Sequence, residues 1–171
     1  MKNGYCMDAD SIIRSWNIIY PINIFYSLWE RLAELKEEMI IVDPIFKEID
    51  PISSADTNGM TADEKRQKYP LRMWLIDNNF KTTIIGNETY LQSLQLGNKY
   101  QTNDSNNGAG FNDIKLISYA KILNKTVVTY EAVQNENPKK ISKYKIPLIC
   151  KEENVRCITF VKMLEELNIC I

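Results

Sequence analysis

Apolar residues come in short, complete runs separated by longer stretches in which they recur every three or four places. Tyr5 to Met7 and Met39 to Val42 are such runs, and "TVVT" at 126–129 is another. Runs without a polar alternate face predict strands buried on both sides. Between them, Phe25, Leu28, Trp29, Leu32 and Leu35 recur at helical spacing, predicting a helix that opens at Pro21 and ends near Glu38. Ser11 to Tyr20 reads as a turn and a short helix. Asp43-Pro44 reads as a cap and a first-turn proline for a short helix through Glu48.

Further along, Asp50 to Met60 is a Ser-, Asp- and Gly-rich loop. Thr61 and Glu64 have capping-box spacing, and the helix they open kinks or restarts at Pro70, with Leu71, Trp74 and Leu75 inward. A weaker helical signal covers Glu88 to Leu96, and Gly97 to Gly110 reads as a polar loop. "NDIKLISYAKILNK" is a helix with Leu116, Ile117 and Ala120 on one face. "YKIPLIC" is a short apolar segment, and a last helix runs from about Thr159 to Asn168. Apolar runs alternating with helices predict an α/β fold, a parallel sheet covered on both faces. At 171 residues the chain makes one domain, 1–171. Trp16, Trp29 and Trp74 read as core.

Composition narrows the chemistry. There is no histidine, which excludes Ser-His-Asp triads, Cys-His pairs and His-ligated zinc. Acid–base work falls to carboxylates, Lys, Tyr, Cys or a metal-activated water. Cys6, Cys150, Cys157 and Cys170 have no metal-site spacing and read as reduced thiols. No stretch approaches the ~18 apolar residues of a membrane span, and Asp8 and Asp10 interrupt any leader, so the reading is a cytoplasmic protein without a membrane partner.

Ligands in parallel α/β sheets bind beyond the carboxyl ends of the strands. Four acids fall there: Asp8 after the first run, Glu48 after the second, Asp113 opening the helix before "TVVT", and Glu131 just after it. Clustered carboxylates repel one another, and a hard divalent cation, Mg²⁺ or Mn²⁺, offsets that repulsion. Singly, each acid has a plainer reading: Asp113 or Asn112 as a helix cap, Glu48 as a solvated charge, Glu131 as a loop residue. A carboxylate directly after a buried strand, as at Asp8, is the hardest to explain without a partner. From Ile114 to Lys151 there are eight lysines against two acids in a chain of net charge −1. That stretch reads either as an ordinary solvated face or as a basic rim for a polyanion.

"YCMDADSII", "FKEID", "NDIKLISYAKILNKTVVTYE" and "KYKIPLIC" with "NVRCITFVKMLEELNI" resemble the PIN-domain superfamily, and more closely a bacterial PIN-like branch of unknown function. The matching elements are Asp8-Ala9-Asp10, Tyr20-Pro21, Trp29, Glu48, Asp113 to Ala120, Val127 to Glu131 and Lys145 to Cys150; between Asp50 and Gly110 the match is poor. The resemblance implies a three-layer α/β/α sandwich and Mg²⁺/Mn²⁺-dependent endoribonuclease activity, often as the toxin of a toxin–antitoxin pair. It implies Asp8, Glu48, Asp113 and Glu131 as metal ligands and catalytic residues, supported by Asp10, Ser11 and Thr129. It also implies a protein antitoxin as partner and a homodimer, while the basic-rim reading offers Lys115, Lys139, Lys140, Lys143 and Lys145 as RNA contacts. Two positions depart from the pattern: Asp10 where a neutral residue is commoner, and Glu131 where Asp is. "DADSI" also reads as the motif of a HAD-type phosphatase, with Asp8 as nucleophile and Asp10 as general acid. A catalytically silent PIN-like binding module is the third alternative.

Overall fold

The computed structural model describes residues 4–52, 57–102 and 108–169. The first strand to form in sequence is the middle strand in space. β1 (Tyr5–Met7) lies between β2 (Met39–Val42) and β4 (Thr126–Val128), with β3 (Thr82–Thr83) outside β2 and β5 (Cys157–Ile158) outside β4. Every pairing is parallel: Tyr5 stands opposite both Met39 and Thr126, Val42 opposite Thr83, and Val127 opposite Cys157. The three inner strands are the three apolar runs, buried because helices cover both faces.

Nine described α-helices surround the sheet, eight in the connections and the last after β5: α1 (Ala9–Arg14), α2 (Tyr26–Glu34), α3 (Asp43–Glu48), α4 (Ala62–Lys68), α5 (Pro70–Asp77), α6 (Asn87–Lys99), α7 (Phe111–Ile122), α8 (Ile146–Glu152) and α9 (Phe160–Glu166). The chain moves outward through β1, β2 and β3, then crosses back to β4 and β5. Right-handed crossovers therefore place the first set of helices on one face and the second set on the other, giving three layers. On the second face α7 packs along α6 and α8. On the first, Trp16, Trp29, Trp74 and Phe160 meet ring to ring, with Trp16–Trp29 centroids 4.9 Å apart and Trp29–Phe160 6.4 Å apart. Trp29 donates its Nε1–H to the Tyr20 carbonyl at 2.8 Å, so the core aromatic carries no orphaned donor.

Local chemistry accounts for the helix ends. The Thr61–Glu64 capping box forms, with Thr61 N–H donating to Glu64 Oε2 at 2.7 Å. Pro70 opens a new helix, and Asp50 Oδ2 accepts from the Leu71 and Arg72 N–H groups at 3.0 and 3.1 Å. Helices α5, α6, α7, α8 and α9 stop alike: Asn79, Gln101, Asn124, Asn154 and Asn168 take positive φ, and the next N–H reaches back to close the last turn.

The structure departs from the sequence expectations at several points. Pro21 lies in a turn and α2 starts at Tyr26. Asp43 is the first residue within α3 rather than its cap, and its carboxylate takes Lys47 Nζ at 2.6 Å. "YKIPLIC" is largely α8, with Pro147 in its first turn. Gly97 to Lys99 continue α6. Of the two expected loops, 53–56 and 103–107 lie outside the described residues, as does Cys170. Cys6, Cys150 and Cys157 are free thiols. No helix among the described residues is long and apolar enough to cross a membrane.

Candidate active site

Chains leaving β1 and β4 depart in opposite directions, toward β2 and β5, which opens a crevice beyond the carboxyl ends of these adjacent strands. Asp8 N–H donates to Val128 O at 3.0 Å, extending the ladder by one residue and fixing where the Asp8 side chain emerges. Thr129 N–H is held the same way by Ile158 O at 3.0 Å. The Thr129 hydroxyl then joins two acids: it donates to Asp8 Oδ2 at 3.0 Å and accepts from Glu131 N–H at 3.1 Å. Glu131 Oε2 accepts from Ile146 N–H at 2.7 Å, at the start of α8.

Across the crevice, Asp113 sits in the first turn of α7 and accepts from Gly110 N–H at 2.8 Å. The helix-capping reading of Asp113 therefore holds together with its place in the site. Glu48 ends α3 and accepts from the Asn112 amide. Asp8, Asp10, Glu48, Asp113 and Glu131, with Ile146, line one cavity of about 240 Å³. All four expected ligands thus share one cavity. A second cavity of about 230 Å³ shares Glu48 and Asp113 and continues past Phe111.

Electrostatics set this cavity apart. Asp8 is only 4% exposed. Burial first, and then the Asp113, Glu131 and Asp10 charges, push its carboxyl up to about 7, against the lowering effect of the Thr129 hydroxyl. Burial also raises Glu131, opposed by the Ile146 N–H and Lys145, with Asp10 adding to the rise. Among the described residues no lysine or arginine forms an ion pair with Asp8, Glu48 or Glu131.

Several supporting residues fall differently from expectation. The Ser11 hydroxyl donates to Val128 O at 3.1 Å, locking α1 onto β4 without touching an acid. Asp10 faces the cavity but is half exposed and pairs with Arg14 at 3.4 Å, while Arg14 lies over the Tyr130 ring. Lys115 stands next to the crevice, 3.5 Å from Asn112 Oδ1, and Lys145 is close enough to Glu131 to affect its ionisation. Lys139, Lys140 and Lys143 are exposed on the segment leading to α8. Lys121 is paired with Glu153, so the lysine-rich stretch is not one continuous rim. The Ile146 N–H that holds Glu131 was not legible in the sequence, because it depends on where α8 begins.

Hard oxygen donors without nitrogen or sulfur suit Mg²⁺ or Mn²⁺ in kind, and a divalent charge would relieve the repulsion around Asp8. Among the described residues, however, no three His, Cys, Asp or Glu side chains converge as a metal-holding group. The donor set fits such a cation in chemical kind, though the side chains are not gathered around one point.

Fold and crevice together define the class: an all-parallel α/β protein with a carboxylate-lined cavity at its topological switch point. Within that class, the chain belongs to the family described as Domain of unknown function (DUF4411), whose model matches residues 5–171. No curated protein and no solved structure matches the chain.

Proposed function

We propose that the protein is a PIN-like, Mg²⁺- or Mn²⁺-dependent endoribonuclease. One observation carries the reading: Asp8, Glu48, Asp113 and Glu131, far apart in sequence, line one cavity at the switch point, and among the described residues Asp8, Glu48 and Glu131 form no ion pair with lysine or arginine. A buried carboxylate kept from lysine and arginine lowers stability, and a bound cation supplies the missing charge.

In this mechanism Asp8, after β1, and Asp113, in the first turn of α7, would hold the cation together with Glu48 and Glu131. The cation's chemistry is to neutralise a phosphodiester and lower the pKa of a water. The chain's own residues supply position. Thr129 fixes the distance between Asp8 and Glu131, Ile146 N–H turns Glu131 into the cavity, and Asn112 does the same for Glu48. Lys115 and Lys145 offer charge to the neighbouring phosphates.

The test is cleavage of single-stranded RNA by the purified protein. With Mn²⁺ or Mg²⁺ the products should carry 5′-phosphate and 3′-hydroxyl ends. Chelator should stop the reaction. Asp8→Asn and Asp113→Asn should each slow it by more than about a hundredfold, the upper range for outer partners of a metal site. A folded protein that leaves RNA intact with either metal overturns the reading. Because Asp10 lines the same cavity, phosphomonoester hydrolysis through an Asp8 acyl-phosphate is the second reading. The proton that Asp8 retains to about 7 weighs against it as a nucleophile.

A further inference from the structure

The crevice continues beyond the acids. Phe111, which borders the acid-side cavity, also borders a cavity of about 300 Å³ between α6 and α7. We propose that this second cavity is a nucleobase pocket, seating one unstacked base of a single-stranded RNA whose backbone crosses the carboxylates. The proposal rests on the nuclease reading and adds the residues that would give it a base preference.

Three observations carry it. The first is the walls: Tyr90 and Leu94 of α6 face Phe111 and Ile114 of α7 across the cavity, and both aromatic rings are half exposed. An apolar slot with aromatic edges at its mouth is what the face of a base requires. A volume of about 300 Å³ lies at the small end of the range for ligand sites.

The second is polarity placed where a base edge would lie. Asn98 and Thr102 border the cavity, and the Thr102 hydroxyl oxygen is buried with no hydrogen-bond partner. Leaving such a group unpaired is unfavourable. The hydroxyl is nonetheless held in place, because Gln101 takes positive φ and Thr102 N–H returns to Gly97 O at 2.9 Å. The exposed Asn98 amide on the same wall offers both a donor and an acceptor to a base edge.

The third is Gly97 itself. A glycine inside a helix is destabilising relative to alanine. Here a Cβ would meet no atom within 4 Å, so protein packing does not demand glycine. What its absence of side chain preserves is the open wall of the cavity. Lys115, which borders this cavity and a further one of about 290 Å³ toward β3, adds positive charge along the same line. A row of cavities sharing walls suits a polymer better than an isolated small molecule.

The experiment is Gly97→Leu in the full chain. Anisotropy would follow fluorescein-labelled oligo-A, oligo-C and oligo-U in chelator, alongside cleavage with Mn²⁺. Leucine is a good helix former, so the variant should keep the wild-type melting temperature or exceed it. Its binding should weaken about tenfold for the preferred oligonucleotide. The difference among the three homopolymers should flatten, and the cleavage loss should fall on KM. Phe111→Ala, at an exposed position, should reproduce the effect and carries the test if Gly97→Leu fails to fold. Wild-type affinities and preferences in both variants of an RNA-cleaving protein overturn the pocket alone. A wild-type protein that neither binds nor cuts RNA overturns the pocket and the nuclease reading together.

Discussion

Asp8, at the end of β1, is 4% exposed; Glu153, just past α8, is 7% exposed. Around Glu153 the fold gathers cations and donors: Lys99 Nζ at 2.6 Å, Lys121 Nζ on the other oxygen, and the Tyr100 hydroxyl at 2.6 Å. Burial alone would raise Glu153, but the hydrogen bonds from Lys121, Lys99 and Tyr100 outweigh it and hold the carboxyl down at about 2. Around Asp8 the fold gathers further acids, and the carboxyl rises to about 7. Low exposure in both, with opposite surroundings, separates two uses of a carboxylate. Glu153 ties α6, α7 and α8 together behind the sheet, whereas Asp8 costs stability at the mouth of the crevice.

The contrast should be clearest in the pH dependence of unfolding. Between about pH 4 and 7 the unfolded chain has released the Asp8 proton and the folded chain still holds it. Stability should therefore fall as pH rises through that window, by on the order of 4 kcal/mol from this group. Asp8→Asn should remove that slope in urea titrations and leave the variant more stable than wild type at pH 8. Mn²⁺ should raise the melting temperature of the wild type at pH 8 and not that of the variant. An unchanged slope in Asp8→Asn would show that the carboxyl is not strained by its neighbours.

Glu153→Gln should act in the reverse direction. Its stabilising effect is present above the ordinary carboxyl pKa and disappears as pH falls toward 2. At pH 7 the variant should lose about 2 kcal/mol, less than the full shift implies, because water reaches Lys99 and Lys121. Near pH 2 variant and wild type should converge in chemical denaturation. A constant deficit at every pH would mean that packing, not charge, is lost.

The smallest effect tests the link between two acids. Thr129→Val removes the hydroxyl that lowers Asp8 and orients Glu131, at a cost of about 1 kcal/mol. The Asp8 carboxyl should then titrate at still higher pH in carbon-detected NMR, and the acid limb of any cleavage profile should move with it. If Asp8 titrates unchanged, the hydroxyl plays no part in setting its charge.

Much of this was legible in the sequence, for identifiable reasons. β1, β2 and β4 announce themselves because strands covered on both faces must be apolar throughout. The acids that follow them were legible because charge directly after such a run is costly. β3 and β5 were not: Thr82–Thr83 and Cys157–Ile158 are two-residue edge strands, too short to show any period. "YKIPLIC" shows the matching ambiguity, since four apolar residues suit a strand or one turn of a buried helix. Thr129 could be placed next to the acids, but its role as a bridge needs three-dimensional register. The lysines misled most, because charge counted along a chain takes no account of Glu153 neutralising Lys121.

The pairing of β1 with β4 also has a consequence in time. Tyr5 meets Thr126 across 120 intervening residues, and the acids come from positions 8, 48, 113 and 131. During synthesis, strands that must wait for distant partners close late. A nascent chain that has cleared the ribosome only as far as α6 carries Asp8 and Glu48 but lacks both Asp113 and Glu131. The crevice is therefore among the last features of the molecule to assemble, and truncated products lack two of the five carboxylates that line it.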